Sequence, residues 1–179
     1  MHRFWNPISL ALITLTLPCG AAPSAAQQPA PDLVPFKVSW MGAPSPGSVS
    51  SNIATDPAFV SIPSIVTGQS DLFGAFTGVS LATQHLGVDG KPLFSTVVGE
   101  WTMANGDSLS IELPANVYLP QTTPGGSLLE GVLVITNGKG RFLGARGTGF
   151  LRAVQQMDPV THQGPVILSA EGLITRPKP

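Results

Sequence analysis

Few side chains in this chain are equipped for chemistry, and their spacing narrows what that chemistry could be. His85 and His162 stand on separate segments without the spacing metal ligands need, so no metal site is expected. His85, followed by Leu86-Gly87 at the end of an expected strand, reads as a structural hydrogen-bonding residue rather than a catalytic one. Glu100 and Glu112 flank a hairpin and could face each other as general acid and base, but strand pairing puts both on the polar face, where exposed carboxylates are ordinary. Serines are numerous, yet none sits in a Gly-x-Ser-x-Gly elbow. Gly138-Lys139-Gly140 is too short for a phosphate loop and lacks the helix that should follow it. The cations Lys139, Arg141, Arg146 and Arg152 cluster in one stretch, and a solvated barrel rim explains them better than an anion site. No catalytic residue and no cofactor are therefore expected. What remains is binding: Trp101, Tyr118, Phe142 and Phe150 could line a cavity or its mouth, with His85 and Glu100 as further candidates, although core packing explains the aromatic residues with fewer assumptions.

The whole chain sets the limits within which such a site must be built. It has 179 residues, Lys+Arg 9 against Asp+Glu 10, and neither a basic stripe for nucleic acid nor an acidic tail. A short basic start, an apolar run over residues 8–17 and small residues up to Ala26 have the layout of a secretory signal peptide, and the run is too short for a membrane span. The domains expected are a signal peptide over 1–26, cleaved before Gln27, a disordered leader over 27–34 and a β-barrel domain over 35–179. The protein would thus be secreted or periplasmic. The sole cysteine, Cys19, is followed by Gly20, but Thr16 and Pro18 spoil the lipid-attachment pattern, so it is expected to leave with the signal. The exported chain then has no disulfide and no thiol nucleophile, and its stability rests on core packing.

No segment has a sustained helical period, and 20 glycines and 18 prolines would break most helices. Seven to nine short antiparallel strands are expected instead, in a barrel or sandwich. Residues 36–40 alternate as a half-buried first strand, 43–51 read as a loop, and Pro63 should make 58–66 an edge, a bend or a bulge. A strand over 74–81, a turn over 87–92 and a new strand from Leu93 follow. In the hairpin around Asn105-Gly106, a two-residue loop would throw Trp101 onto the polar face. A three-residue loop with Gly106 as a left-handed bulge puts Trp101 opposite Leu109 and Met103 opposite Asp107, with Ile111 and Leu113 on the same apolar side, and is preferred. Residues 117–119 lie between prolines, 121–126 form a loop, and strands are expected over 128–136, 147–154 and 166–175, the last preceded by a loop through Asp158-Pro159 and Gly164-Pro165. The stretch 132–154, with five glycines between two apolar runs, is the tightest corner. Valine at Gly144 or Gly147 should impair folding before any activity.

Residues 137–147, Asn-Gly-Lys-Gly-Arg-Phe-Leu-Gly-Ala-Arg-Gly, resemble the glycine signature shared by plant dirigent proteins and allene oxide cyclases, and Gly149-Phe-Leu-Arg-Ala fits the strand that follows it. Residues 82–87, Ala-Thr-Gln-His-Leu-Gly, and 104–107, Ala-Asn-Gly-Asp, look like two further motifs of a bacterial secreted branch of this barrel; Gln84 is an insertion, and Asn137 stands where the first signature glycine would be. The resemblance covers roughly residues 66–154. It implies an eight-stranded antiparallel barrel of the allene oxide cyclase type with a small central cavity, and dimers or trimers among the relatives make a homo-oligomer conceivable. The catalytic positions of those families have no match here, and fold does not carry function with it. Two readings follow: a non-enzymatic exported barrel that binds a small apolar ligand or acts as an interaction module, or a cofactor-free isomerase or cyclase working in the lumen. A buried, isolated carboxylate or histidine beside an open cavity would favour the second.

Overall fold

Alternation of inward apolar and outward polar side chains, with tight glycine turns between strands, gives this chain no way to bury its apolar faces except against one another. A computed structural model describes residues 31–45, 50–52, 58–119, 126–156 and 164–179. Among them are nine strands: β1 (Leu33–Pro44), β2 (Ser50–Asn52), β3 (Phe59–Ser70), β4 (Gly74–Leu86), β5 (Pro92–Met103), β6 (Ser108–Tyr118), β7 (Gly126–Lys139), β8 (Gly147–Gln156) and β9 (Val166–Thr175). Pairing is antiparallel throughout in the order β1-β9-β8-β7-β6-β5-β4-β3, and β1 pairs again with β3, so eight strands close into a barrel while β2 pairs with the start of β3. The all-β barrel expected from the sequence is the fold. The expected signal peptide with Cys19, the leader up to Ala30, most of the loop at 121–126 and His162 lie outside the described residues.

Several boundaries differ from the sequence expectation. β1 starts at Leu33, inside the expected leader, and runs through Pro44 into the expected loop, because its outer half is held by β9 on one side and β3 on the other. β3 runs unbroken through Pro63, which neither bends nor bulges it. Pro63 pairs with Leu81 of β4, and on its other side its carbonyl accepts from the Ser45 N–H just past the end of β1; the return bond that Pro63 cannot donate falls there, beyond the last β1–β3 pair. The hairpin register is as expected: Trp101 faces Leu109, the Met103 N–H donates to the Asp107 carbonyl, and Gly106 has φ +85°.

β6 holds the difference with most consequence for the lumen. It continues past Pro114, but Val97 faces Leu113 while Ser95 faces Asn116, so β6 carries one extra residue, a bulge at Pro114-Ala115. The bulge inverts the alternation. Val117 points outward, 51% exposed, and Asn116 and Tyr118 turn toward the inside.

The lumen is filled unevenly. At the end carrying the 71–73, 104–106 and 140–146 turns, Trp40, Phe73, Phe76, Trp101 and Phe142 form a plug, with Trp101 stacked 4.6 Å from Phe76 and edge-on 5.0 Å from Trp40. At the other end the inward positions include the small residues Gly42, Ser64, Ala82 and Ala153, which leave room. The plugged end is tied by Asp107, which accepts from the Arg141 N–H at 3.2 Å, from Arg141 Nε at 2.7 Å and from Asn105 Nδ2 at 2.8 Å. A Cβ on Gly140, which has φ +64°, would overlap the Asp107 carboxylate. Asp107 therefore joins the 104–107 motif to the 137–147 motif, the β5–β6 turn to the β7–β8 corner.

The Arg141 guanidinium, seconded by Asn105, holds the Asp107 carboxyl below its ordinary value of 3.8. A carboxyl with a lowered folded value contributes stability above its ordinary value, and that contribution is lost as pH falls through the lowered one. Thermal melts of the wild type should therefore lose a component as the pH falls below the ordinary value of 3.8. Asp107→Asn should melt lower at neutral pH and lack that component; an identical acid limb in both proteins would refute the role.

Candidate functional site

The barrel end with small inward residues holds a cavity of about 70 Å³. Ile62, Val97, Leu113, Leu129, Leu151 and Leu168 give it apolar walls, and Gln84, Ser95, Asn116, Tyr118 and Gln155 place polar groups around it. Gln84 is the last inward residue of β4, Ser95 belongs to the first turn of alternation in β5, the β6 bulge delivers Asn116 and Tyr118, and Gln155 is the inward residue near the end of β8. Four strands thus meet in one polar ring.

Within the ring, Gln84 Nε2 donates to the Tyr118 hydroxyl at 2.8 Å, and that hydroxyl donates to Gln155 Oε1 at 3.4 Å. Burial pushes the Tyr118 phenol up to about 12, against the opposing pull of hydrogen bonds from Ser95 and Gln84. Tyr118 therefore keeps its proton at neutral pH and acts as a donor rather than a base. Asn116 is 2% exposed; its Nδ2 donates to the Ser95 carbonyl at 3.4 Å, while its buried Oδ1 has no hydrogen-bond partner among the described residues. Gly131, facing Asn116 on β7, has no Cβ, and one built there would overlap Oδ1. An acceptor is thus held desolvated against Gly131, on a residue that lines the cavity, a state that costs free energy until a donor meets it.

Of the residues singled out from the sequence, Tyr118 lines this cavity. Trp101 and Phe142 are 0% and 1% exposed in the aromatic plug at the opposite end. Phe150 lies on the outer wall, 49% exposed, with the Arg152 guanidinium 5.4 Å from its ring centre. His85 points outward from β4 and stacks on Phe94 with ring centres 4.3 Å apart, its Nδ1 buried without a partner among the described residues. Glu100 faces outward too; it accepts from Ser108 Oγ at 2.8 Å and from Lys139 Nζ at 3.2 Å, and these two contacts hold its carboxyl below the usual range. Glu112 pairs with Val98, not with Glu100. Lys139 and Arg152 each meet a glutamate and Arg141 meets Asp107, so the cation cluster does not converge on one point.

Gln84, Ser95, Asn116 and Gln155 escape a reading that looks for reactive residue types. Carrying each strand's inward parity to its end finds Gln84 and Gln155, since β4 runs Phe76, Gly78, Ser80, Ala82, Gln84 and β8 runs Leu151, Ala153, Gln155. Asn116 and Tyr118 need the bulge as well, and Pro114 is its one signal.

This is a closed eight-stranded antiparallel barrel with a cavity at one end of its lumen. Among solved structures it is similar to a pterocarpan synthase dirigent protein, with a TM-score of 0.47 and 15% sequence identity over 83% of this chain and 88% of that one. No family model and no curated protein matches the chain.

Proposed function

We propose that this chain is an exported, non-enzymatic barrel that takes a small, mainly apolar ligand bearing one hydrogen-bond donor into the lumen end ringed by Tyr118. The observation that carries the reading is the buried Oδ1 of Asn116, unpartnered among the described residues, on a residue of the apolar-walled cavity. A donor on the ligand would satisfy it, and leucine walls would bury the rest. The about 70 Å³ of room selects compact molecules, since a water takes up roughly 30 Å³ of liquid. Export rests on the signal-like layout of residues 1–26, and kinship with the secreted bacterial branch and the allene oxide cyclases rests on the three motifs. An isomerase would need an acid or base in the lumen. Among the described residues the cavity wall presents no carboxylate and no histidine, and Tyr118 holds its proton, which favours binding over turnover.

A graded series of alcohols from methanol to phenol, followed by amide chemical shifts and melting temperature, tests this. Compact members should raise the melting temperature and shift the amides of β4, β6 and β8. Asn116→Leu, which replaces the orphaned acceptor by an apolar side chain of similar size, should cost little or no stability while weakening binding about tenfold. Binding unchanged by Asn116→Leu, or no binding by any member, would sink the proposal. For export, mass spectrometry of the protein recovered outside the cytoplasm should find Gln27 at the N-terminus.

A further inference from the structure

The outer wall of a closed barrel is convex, so a cleft there needs a cause. One of about 680 Å³ lies across β8, β9, β1 and β3. Its floor is the cross-strand pair Ser169 and Ser39, whose side chains are too short to fill the wall between Arg152, the partner of Ser169, and Gln69, the partner of Ser39. This row of four residues spans about 14 Å at the usual strand spacing. A second row, Phe150, Glu171 and Lys37 in register, runs beside it.

The chemistry of the two rows is specific in combination. Lys37 and Arg152 balance Glu171 and Asp71, and Lys37 Nζ already lies 3.5 Å from Glu171 Oε2 while Arg152 Nε lies 3.1 Å from Glu130 Oε1, so no net charge is offered to an ion. The serine hydroxyls of the floor and the Gln69 amide beside them each donate and accept, which suits groups that do the same, as hydroxyls do. Phe150 stands half exposed at the edge as an apolar platform, steadied by the guanidinium of Arg152. All of these side chains but Asp71 come from paired strands, so the backbone that carries them is fixed before a ligand arrives.

We propose that this face binds a neutral oligosaccharide, the apolar face of one sugar ring packing on Phe150 and the hydroxyls of the chain lying along the serine floor. Peptides would look for a free strand edge, which the closed barrel denies them here, and an ionic ligand would meet like charge as often as unlike. The site is separate from the lumen and does not depend on what the lumen binds.

Native affinity electrophoresis through gels containing soluble xylan, hydroxyethylcellulose or laminarin, followed by amide titration with the matching hexasaccharide, tests it. The wild type should be retarded by at least one of these polymers, with shifts confined to β8, β9, β1 and the end of β3. Phe150→Ala should weaken binding about tenfold. Ser169→Trp, which fills the floor from an exposed position, should abolish it, and Asn116→Leu should leave it unchanged. No retardation by any polymer, retardation equal in wild type, Phe150→Ala and Ser169→Trp, or binding to dextran sulfate in place of the neutral polymers would overturn the proposal.

Discussion

Trp101→Ala should lower the free energy of unfolding by about 3–5 kcal/mol, read from urea denaturation midpoints at an unchanged slope. The indole is fully buried, stacks on Phe76, meets Trp40 edge-on and lies 6.0 Å from Phe73, so its removal opens a hole among rings that themselves are fixed by the barrel wall. Such rings cannot collapse into the gap, and the cost then includes the cavity as well as the lost transfer energy. Because the plug and the polar ring occupy opposite ends of the lumen, the folded fraction of the variant should keep its affinity for alcohols. A loss below about 1 kcal/mol would mean that the rings repack, and the plug would then not be what sets the stability of the barrel.

Gly147→Val should cost about 3 kcal/mol or more and leave little soluble protein. A Cβ at Gly147 would lie 2.6 Å from the Leu173 carbonyl oxygen and 3.0 Å from the Ile174 Cα, and both are backbone of the neighbouring strand, which cannot turn aside. Pairing of β8 with β9 would have to loosen where β9 also pairs with β1 to close the barrel. Gly144 is different in kind. Its φ is +78° and a Cβ there meets nothing within 4 Å, so Gly144→Ala should cost only the left-handed penalty of about 1–2 kcal/mol. Should Gly144→Ala prove the worse of the two, close approach would not be what glycine supplies at 147.

The hairpin around Gly106 shows why the fold was largely readable in the sequence. Gly106 and the apolar partners of Trp101 allow one hairpin register and no other, and β9 occupies residues 166–175 as its alternation requires. Where the reading failed, tertiary pairing outweighed local signals. Proline at 44, 63 and 114 suggested interruptions, yet 44 and 63 stand at the end of the β1 ladders and 114 in the β6 bulge, so the strands run on. The cavity was less legible still. Reactive residue types drew attention to His85 and Glu100, which face outward, whereas the ring at the lumen is built from amides, a serine and a phenol. Tyr118 was singled out as an aromatic residue, but what turns it inward is one extra residue in β6, and alternation counted from Leu113 alone would have sent it to solvent.

The double pairing of β1, with β9 on one side and β3 on the other, has a consequence for timing. During synthesis β1 emerges before β9, so the side of β1 that β9 will cover waits unpaired while the strands between them are made. Hairpins such as β3–β4 and β5–β6 can form as they emerge, but the lumen exists only once the last strand arrives. Closure is thus an all-or-nothing event that awaits β9, and a chain stopped short of residue 166 would have hairpins but no inside.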